Sequence, residues 1–169
     1  LFNMFNEMLA QNNTTILFIR GNKDNPLVFS EQYINLSNIK TIPDYSVVLT
    51  REHNILCVGG GISLDRLWAQ EQEKHLKQFG TTTKTMYWKD EAPIWDAEKL
   101  QEIIDSNIEI HGVCSHVAPL CVNCENDKDV KHWIETDPTL EGDINKERQS
   151  MQDIYEFLMY ADGVRGNMA

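Results

Sequence analysis

Apolar residues in this chain fall into two patterns, short unbroken runs and stripes at helical spacing. The unbroken runs predict β-strands at 15–20, 45–50, 54–59 and 108–115, with a tight turn between the second and the third. The stripes predict helices that end at 12–13, that cover 64–79 and 96–105, and that run from 138 to 163. The stretch 27–43 is predicted to be mostly irregular. Together these elements predict a sheet-rich α+β domain.

The end of the first predicted strand is the most informative junction in the chain. The run Ile16-Leu17-Phe18-Ile19 is typical of a strand that lies in a sheet covered on both faces. It leads through Arg20 into GNKDNP at 21–26, called the polar turn below. Because chemistry collects at the carboxyl ends of strands in open α/β sheets, this turn is the first candidate site. The alternative is an ordinary polar turn between a strand and a loop.

The composition limits the classes of function. The chain has 169 residues, 41% of them hydrophobic, which is enough for one domain spanning 1–169 with its own core. A net charge of -11 argues against nucleic acid and acidic membranes as partners. Phosphorylated molecules would also be repelled unless bound cations reversed the local charge. No apolar stretch approaches the ~20 residues that span a bilayer.

Three segments resemble one known family in the same order. GNKDNP is similar to the Gly-Asn-His-Asp/Glu block of the calcineurin-like metallophosphoesterases, with Lys23 where that family has histidine. DYSVVLTREHNILCVGGGISLDR at 44–66 resembles the strand pair and glycine turn that follow in a bacterial, serine/threonine-phosphatase-like branch. IHGVCSHVAP at 110–119 resembles the later strand that ends in a metal-binding histidine. The resemblance covers most of the chain from 16 to 119.

The resemblance implies a fold and a reaction. The family's fold is a four-layer α-β-β-α sandwich of two mixed sheets, which this chain would supply incompletely. The implied activity is that of a phosphatase, a hydrolase in which two divalent metal ions (Mn, Fe or Zn) activate water for attack on a phosphate ester. The implied partner is a phosphorylated substrate, either a small molecule or a phosphoprotein.

The resemblance also assigns four site residues. Asn22 and His116 match metal ligands, through an amide oxygen and an imidazole nitrogen. Lys23 and Asp24 match the catalytic pair in which the acidic residue orients the proton donor. A lysine pKa of about 10.4 is poorly matched to proton transfer near neutrality, so Lys23 is expected either to serve with a lowered pKa or to neutralise phosphate charge. Its expected ion-pair partner is Asp24.

The motifs that the family carries at both ends of the domain are not found here. An earlier Asp-x-His, a Gly-Asp-x-x-Asp and a later Gly-His-x-His are missing from the sequence. We therefore expect a piece of a longer protein that, by itself, binds metal weakly and hydrolyses almost nothing. One alternative is a non-catalytic binding or scaffold domain of the same ancestry, which the histidine-to-lysine replacement favours.

The cysteines suggest a third interpretation. Cys121 and Cys124 form a C-x-x-C after His116, and a small structural zinc module around them is an alternative to reduced thiols in a cytoplasmic loop. Cys57 and Cys114 lie within apolar runs and are predicted to be buried thiols.

Two other motifs have mainly structural interpretations. The segment Gly59 to Ser63, called the glycine turn below, is predicted to be a tight strand-to-helix turn, with anion binding by its N–H groups as the alternative. Asp65 and Arg66 are predicted to form a structural ion pair. Glu91 lies in a loop and receives no role.

Overall fold

A computed structural model of the protein describes residues 2–81, 84–123 and 127–166, and the side chains of this part except those of 127–129 and 161–166. Within these limits the fold is α+β, with two small sheets and six helices. The helices are α1 (Phe2–Gln11), α2 (Pro26–Ser30), α3 (Arg66–Gln78), α4 (Ala97–Asp105), α5 (Asp127–Thr136) and α6 (Leu140–Gly166).

The five strands of the described part form two separate sheets. Strands β1 (Ile16–Phe18) and β2 (Ile39–Thr41) pair in parallel. Strands β3 (Ser46–Leu49), β4 (Asn54–Val58) and β5 (Gly112–Ser115) form a mixed sheet in the order β3-β4-β5. The β3–β4 pair is antiparallel and β4–β5 is parallel, so the carboxyl ends of β4 and β5 lie at the same edge.

The core lies between the mixed sheet and two helices. Leu56 and Val58 point to one face of β4, because side chains two apart share a face of a strand. They pack with Leu100 of α4 and with a stripe on α6. The members of this core are Tyr45, Leu56, Val58, Leu100, Met151, Ile154 and Leu158.

Helix ends are set by local capping. Asn25 has extended backbone angles and its side chain accepts a hydrogen bond from the Leu27 N–H, so that Pro26 begins α2 as its first residue. Asp96 caps α4 in the same way by accepting from the Lys99 N–H. Before α6, the Thr139 N–H and hydroxyl both donate to Asp137 Oδ1.

The strand β1 differs from its prediction. It was expected to be buried on both faces, but Leu17 and Phe18 are 37% and 41% exposed. Its only strand partner in the described part is β2, and a two-stranded sheet leaves much of each side chain uncovered. An unbroken apolar run therefore identified the strand correctly and its burial wrongly.

The stretch 27–43 is irregular over more than half of its length, as predicted, although it also holds most of α2 and all of β2, which were not predicted. Three further predictions need correction. Helix α5 was not predicted, and α6 continues through Gly163 to Gly166, since one glycine costs a helix only about 1 kcal/mol. Cys57 is buried as expected, but Cys114 is exposed. The two residues are partners in register, yet Cys57 is on the central strand and Cys114 on its neighbour at the edge.

In residues 2–81, 84–123 and 127–166, none of the helices has both the length and the apolar character needed to cross a bilayer.

Candidate functional site

Three strand ends meet at one edge of the molecule. The Gly60 N–H donates to the Arg20 carbonyl at 2.7 Å, which joins the chain after β1 to the glycine turn after β4. Because β5 runs parallel to β4, His116 follows at the same edge. The polar turn, the glycine turn and His116 are therefore brought together, as the sequence predicted for carboxyl ends of strands.

Arg20 lies beneath this edge and fixes it from inside. Its side chain is almost completely buried, and its guanidinium donates to the carbonyl oxygens of Asp90 (3.0 Å) and Glu91 (2.7 Å). It also forms an ion pair with Asp44 at 2.8 Å. Arg20 thereby ties the loop at 90–92 to the end of β1, and a planar group with five donors suits this role better than lysine would.

Every N–H group of the glycine turn is used within the chain. The acceptors, in order from residue 59 to 63, are Asp44 Oδ1, Arg20 O, Glu91 O, Glu147 Oε2 and Glu91 Oε1, at 2.6 to 2.8 Å. The prediction of a tight structural turn is confirmed. The alternative, a set of N–H groups open to an external anion, is wrong because the protein's own oxygens already occupy them.

Only glycine fits the second position of this turn. Gly60 has a φ of +93°, and a Cβ there would lie 2.6 Å from the Glu91 carbonyl oxygen and 2.7 Å from an Arg20 guanidinium nitrogen. Such a separation from main-chain atoms is too short for any side chain. The turn therefore brings its backbone close to two other segments of the chain.

His116 lies between the two turns. A methyl group on Gly21 would be 3.5 Å from His116 Cε1, and one on Gly61 would be 2.8 Å from His116 Cδ2. The imidazole is thus flanked by glycine on both sides, one of them next to Asn22 in the chain. Neither the His116 ring nor the Asn22 side-chain amide makes a hydrogen bond with the described part of the chain. The two side chains that were predicted to be metal ligands therefore have no hydrogen bond to the described residues that would compete with a metal ion.

Lys23 and Asp24 are not paired with each other. Lys23 Nζ forms its ion pair with Asp65 Oδ1 at the start of α3. Asp24 Oδ2 instead accepts the Gly21 N–H at 2.7 Å, which folds its carboxylate back into the polar turn. The predicted Lys23–Asp24 ion pair is therefore wrong. The lysine side chain is about half exposed.

The predicted ion pair between Asp65 and Arg66 is also wrong. Consecutive residues at a helix start point in different directions, so they do not face each other. Arg66 donates to Asp137 at 2.6 Å and to Asp143 at 2.8 Å. The same contacts lower the pKa of both carboxyl groups below its usual value, with the Arg66 hydrogen bond as the main cause.

Two buried carboxyl groups support the glycine turn, and sequence reasoning gave neither of them a role. Glu91 binds both the N–H and the hydroxyl of Ser63, and burial raises its pKa. Glu147, on α6, accepts the Ile62 N–H, and burial raises its pKa to about 7. Both line a polar cleft of about 370 Å³ whose rim includes Arg66 and Tyr87.

Asn22 and His116 carry donor types that metal ions use in proteins. An amide oxygen and a neutral imidazole suit manganese, iron or zinc, which matches the chemistry expected of Asn22 and His116. In the described ranges, there is no group of three or more His, Cys, Asp or Glu residues that could hold a metal ion. The described residues therefore do not supply the set expected for two cations. Cys121 is exposed, and Cys124 lies outside the described residues, so the zinc alternative stays a prediction.

Comparisons with known protein families, with curated proteins and with solved structures found no match to this chain. The functional interpretation therefore depends on the site itself. Its distinguishing feature is an imidazole and an amide, 94 residues apart in the chain, that the fold places at one edge.

Proposed function

We propose that the chain is part of a metal-dependent phosphoesterase in which Asn22 and His116 contribute to holding a divalent cation. The observation that carries this proposal is the position of the His116 ring against Gly21, next to Asn22 in the polar turn. The availability of both donors adds support, because neither is occupied by a hydrogen bond to the described residues. The proposed substrate is a phosphate ester, on a small molecule or a phosphoprotein.

The finer architecture is part of the same proposal. The mixed β3-β4-β5 sheet, with α4 and α6 packed on one face, and the separate β1–β2 pair are compatible with an incomplete α-β-β-α sandwich. In that arrangement the site lies where the strand ends of the two sheets meet.

The chemistry divides between the cation and the chain. A divalent cation, when bound, polarises the phosphate and lowers the pKa of water for an in-line attack. Asn22 can present its amide oxygen to the cation while its NH₂ group donates to a phosphate oxygen. Lys23, half exposed and at the same edge, adds positive charge where the acidic chain would otherwise repel the substrate. Its ion pair with Asp65 favours this electrostatic role over proton transfer.

A non-catalytic binding domain is the second candidate. It is favoured by one observation, that Lys23 is held by Asp65 rather than by the acidic residue beside it. In this case the site would bind a phosphorylated ligand without hydrolysing it. The two candidates agree on ligand and cation and differ only in turnover.

The test measures Mn²⁺ affinity by electron paramagnetic resonance in wild type, Asn22→Ala and His116→Ala. We expect weak binding in wild type and a loss of about tenfold or more in each variant, because each removes one donor. His75→Ala is the matched control, since this exposed histidine packs on Phe79 at the far end of α3. Equal Mn²⁺ affinity in all four proteins would overturn the proposal.

Hydrolysis of p-nitrophenyl phosphate then separates the candidates. The chain alone is expected to hydrolyse almost none, because its described donors fit only part of one cation's shell. Even slow turnover favours the phosphoesterase if it depends on Mn²⁺, exceeds the rate of Mn²⁺ without protein and falls in Asn22→Ala. Binding of inorganic phosphate with Mn²⁺, without turnover above that background, favours the binding domain.

A further inference from the structure

The hydroxyl of Ser63 is placed between two oxygens that both need a hydrogen. Ser63 Oγ lies 2.9 Å from the main-chain oxygen of Asn22 and 2.8 Å from Glu91 Oε2. Ser63 and Glu91 are 1% and 2% exposed, so water has little access to either oxygen. The second carboxyl oxygen, Glu91 Oε1, accepts the Ser63 N–H at 2.6 Å.

Counting hydrogens decides how this group is arranged. A serine hydroxyl has one hydrogen and can donate it to only one of the two oxygens. If Glu91 were ionised, either the Asn22 carbonyl or the carboxylate would face Ser63 Oγ without a hydrogen between them. One more proton on Glu91 Oε2 removes the conflict, because the carboxyl O–H then donates to Ser63 Oγ and the serine O–H donates to the Asn22 carbonyl.

We propose that Glu91 is a neutral carboxylic acid in the folded protein. We further propose that the hydrogen bonds from Glu91 to Ser63 and from Ser63 to Asn22 position Asn22 as a ligand. This inference rests on the proposed function for what Asn22 binds. The protonation of Glu91 stands independently of it. Glu91 fixes the peptide of Asn22 without touching substrate or cation, and so sets where the side-chain amide points.

The surroundings of Glu91 agree with a neutral acid. Burial, the largest influence, raises the pKa of the Glu91 carboxyl group, and the negative charge of Asp65 raises it further. The Ser63 hydrogen bonds and the positive charge of Lys23 act in the opposite direction, but the pKa remains raised. The ionisable and charged groups around it are Arg20, Lys23, Asp65, Tyr87 and Glu147.

The first test is infrared spectroscopy at pH 7. Glu147 also has a raised pKa, so Glu147→Gln is the background in which the band of a protonated buried carboxyl group is measured. We expect this band in Glu147→Gln and its loss when Glu91→Gln is added. A band of equal intensity in both proteins, or none in either, would overturn the protonation of Glu91.

The second test uses rescue by a conservative variant. Glutamine mimics a neutral acid, because its NH₂ group donates to Ser63 Oγ and its carbonyl accepts the Ser63 N–H. Glu91→Gln is therefore expected to retain the melting temperature and the Mn²⁺ affinity of wild type at pH 7. Glu91→Ala and Ser63→Ala are expected to weaken Mn²⁺ binding about tenfold, as is typical for the partners of metal ligands.

The outcomes separate the two proposals. If wild type binds no Mn²⁺ but the infrared band of Glu147→Gln is lost when Glu91→Gln is added, the proposed function fails and the neutral acid stands. If Glu91→Gln binds Mn²⁺ as poorly as Glu91→Ala, the carboxylate is required in its charged form and the positioning proposal is wrong.

Discussion

Individual buried residues, rather than exposed ones, determine the shape of this site. Arg20, Glu91 and Glu147 come from three distant segments, and all are at least nine-tenths buried. Each binds main-chain groups of neighbouring segments, so its charge or hydrogen-bonding capacity replaces the regular pairing that a sheet would provide. Buried polar groups of this kind are costly unless they are satisfied.

Glu147 makes stability depend on pH at the scale of one residue. Its folded pKa, about 7, lies above the unfolded value of 4.5, so the stability it allows is present below pH 4.5 and is lost as the pH rises to 7. The loss amounts to about 3 kcal/mol. We expect Glu147→Gln, which keeps an acceptor for the Ile62 N–H, to remove most of this dependence. Urea unfolding at pH 5 and 8 measures the free energy of unfolding of both proteins. An equal change between the two pH values in wild type and Glu147→Gln would contradict the assignment.

The sequence carried a signal for the burial of Glu147 and none for the burial of Glu91. Glu147 interrupts the spacing of Leu140, Ile144, Met151 and Ile154, so the only acidic member of an apolar stripe could have been recognised as buried. Glu91 lies in a loop without periodicity, and its partner Ser63 is 28 residues away. No local pattern predicts that contact. The position at a strand end marked the polar turn as a candidate site, but the roles of Asn22 and His116 as ligands were predicted through the resemblance.

At the scale of elements, the glycine turn is where β4, the polar turn and the loop at 90–93 pack most closely. All five of its N–H groups are bonded, and its second residue, Gly60, has a positive φ. The turn is therefore a rigid connection between β4 and α3.

Gly60→Ala tests this rigidity. The new methyl group would meet main-chain atoms of Glu91 and Pro93 at 2.6 and 2.9 Å, in a conformation that disfavours any side chain. We expect a loss of about 3 kcal/mol or more in the free energy of unfolding. Gly142→Ala is the matched control, because a Cβ there meets no atom within 4 Å and alanine favours helix, so stability should rise by up to about 1 kcal/mol. Chemical denaturation measures both, and equal effects would contradict the role of the turn.

Elements with a strong apolar pattern were predictable, and elements without one were missed. The strands β3 and β4 and the helices α3 and α4 follow apolar periodicity within a few residues of their observed bounds. Strand β2 has three residues and α2 has five, too few for a period to show. Helix α2 forms because Asn25 caps it and Pro26 begins it. Strand β2 forms by pairing with β1, which is a tertiary contact that no local pattern shows.

At the scale of the whole molecule, Arg66 connects distant parts of the chain. It joins the start of α3 to Asp137 and Thr139, which precede α6, and to Asp143 within α6. The depressed pKa values of the two carboxyl groups mean that this connection stabilises the fold above pH 3.8 and is lost as the pH falls through the lower folded values.

Arg66→Gln should therefore destabilise the protein at pH 7 by about 3 kcal/mol, since it leaves the buried Asp137 unpaired. The difference from wild type should shrink below pH 3.8, where both carboxyl groups become protonated. Lys77→Gln removes an exposed pair with Glu73 and is expected to change stability by less than about 0.5 kcal/mol. Thermal unfolding from pH 2.5 to 7 measures both variants. A pH-independent difference for Arg66→Gln would argue against the ion pairs as its cause.

The five acceptors around the glycine turn also bear on biosynthesis. They belong to Arg20, Asp44, Glu91 and Glu147, so the last of them leaves the ribosome long after the turn has been synthesised. In a nascent chain the glycine turn between β4 and α3 therefore lacks one of its hydrogen-bond acceptors, Glu147, until α6 has emerged. The edge that carries Asn22 and His116 is completed late, when Glu147 of α6 accepts the Ile62 N–H.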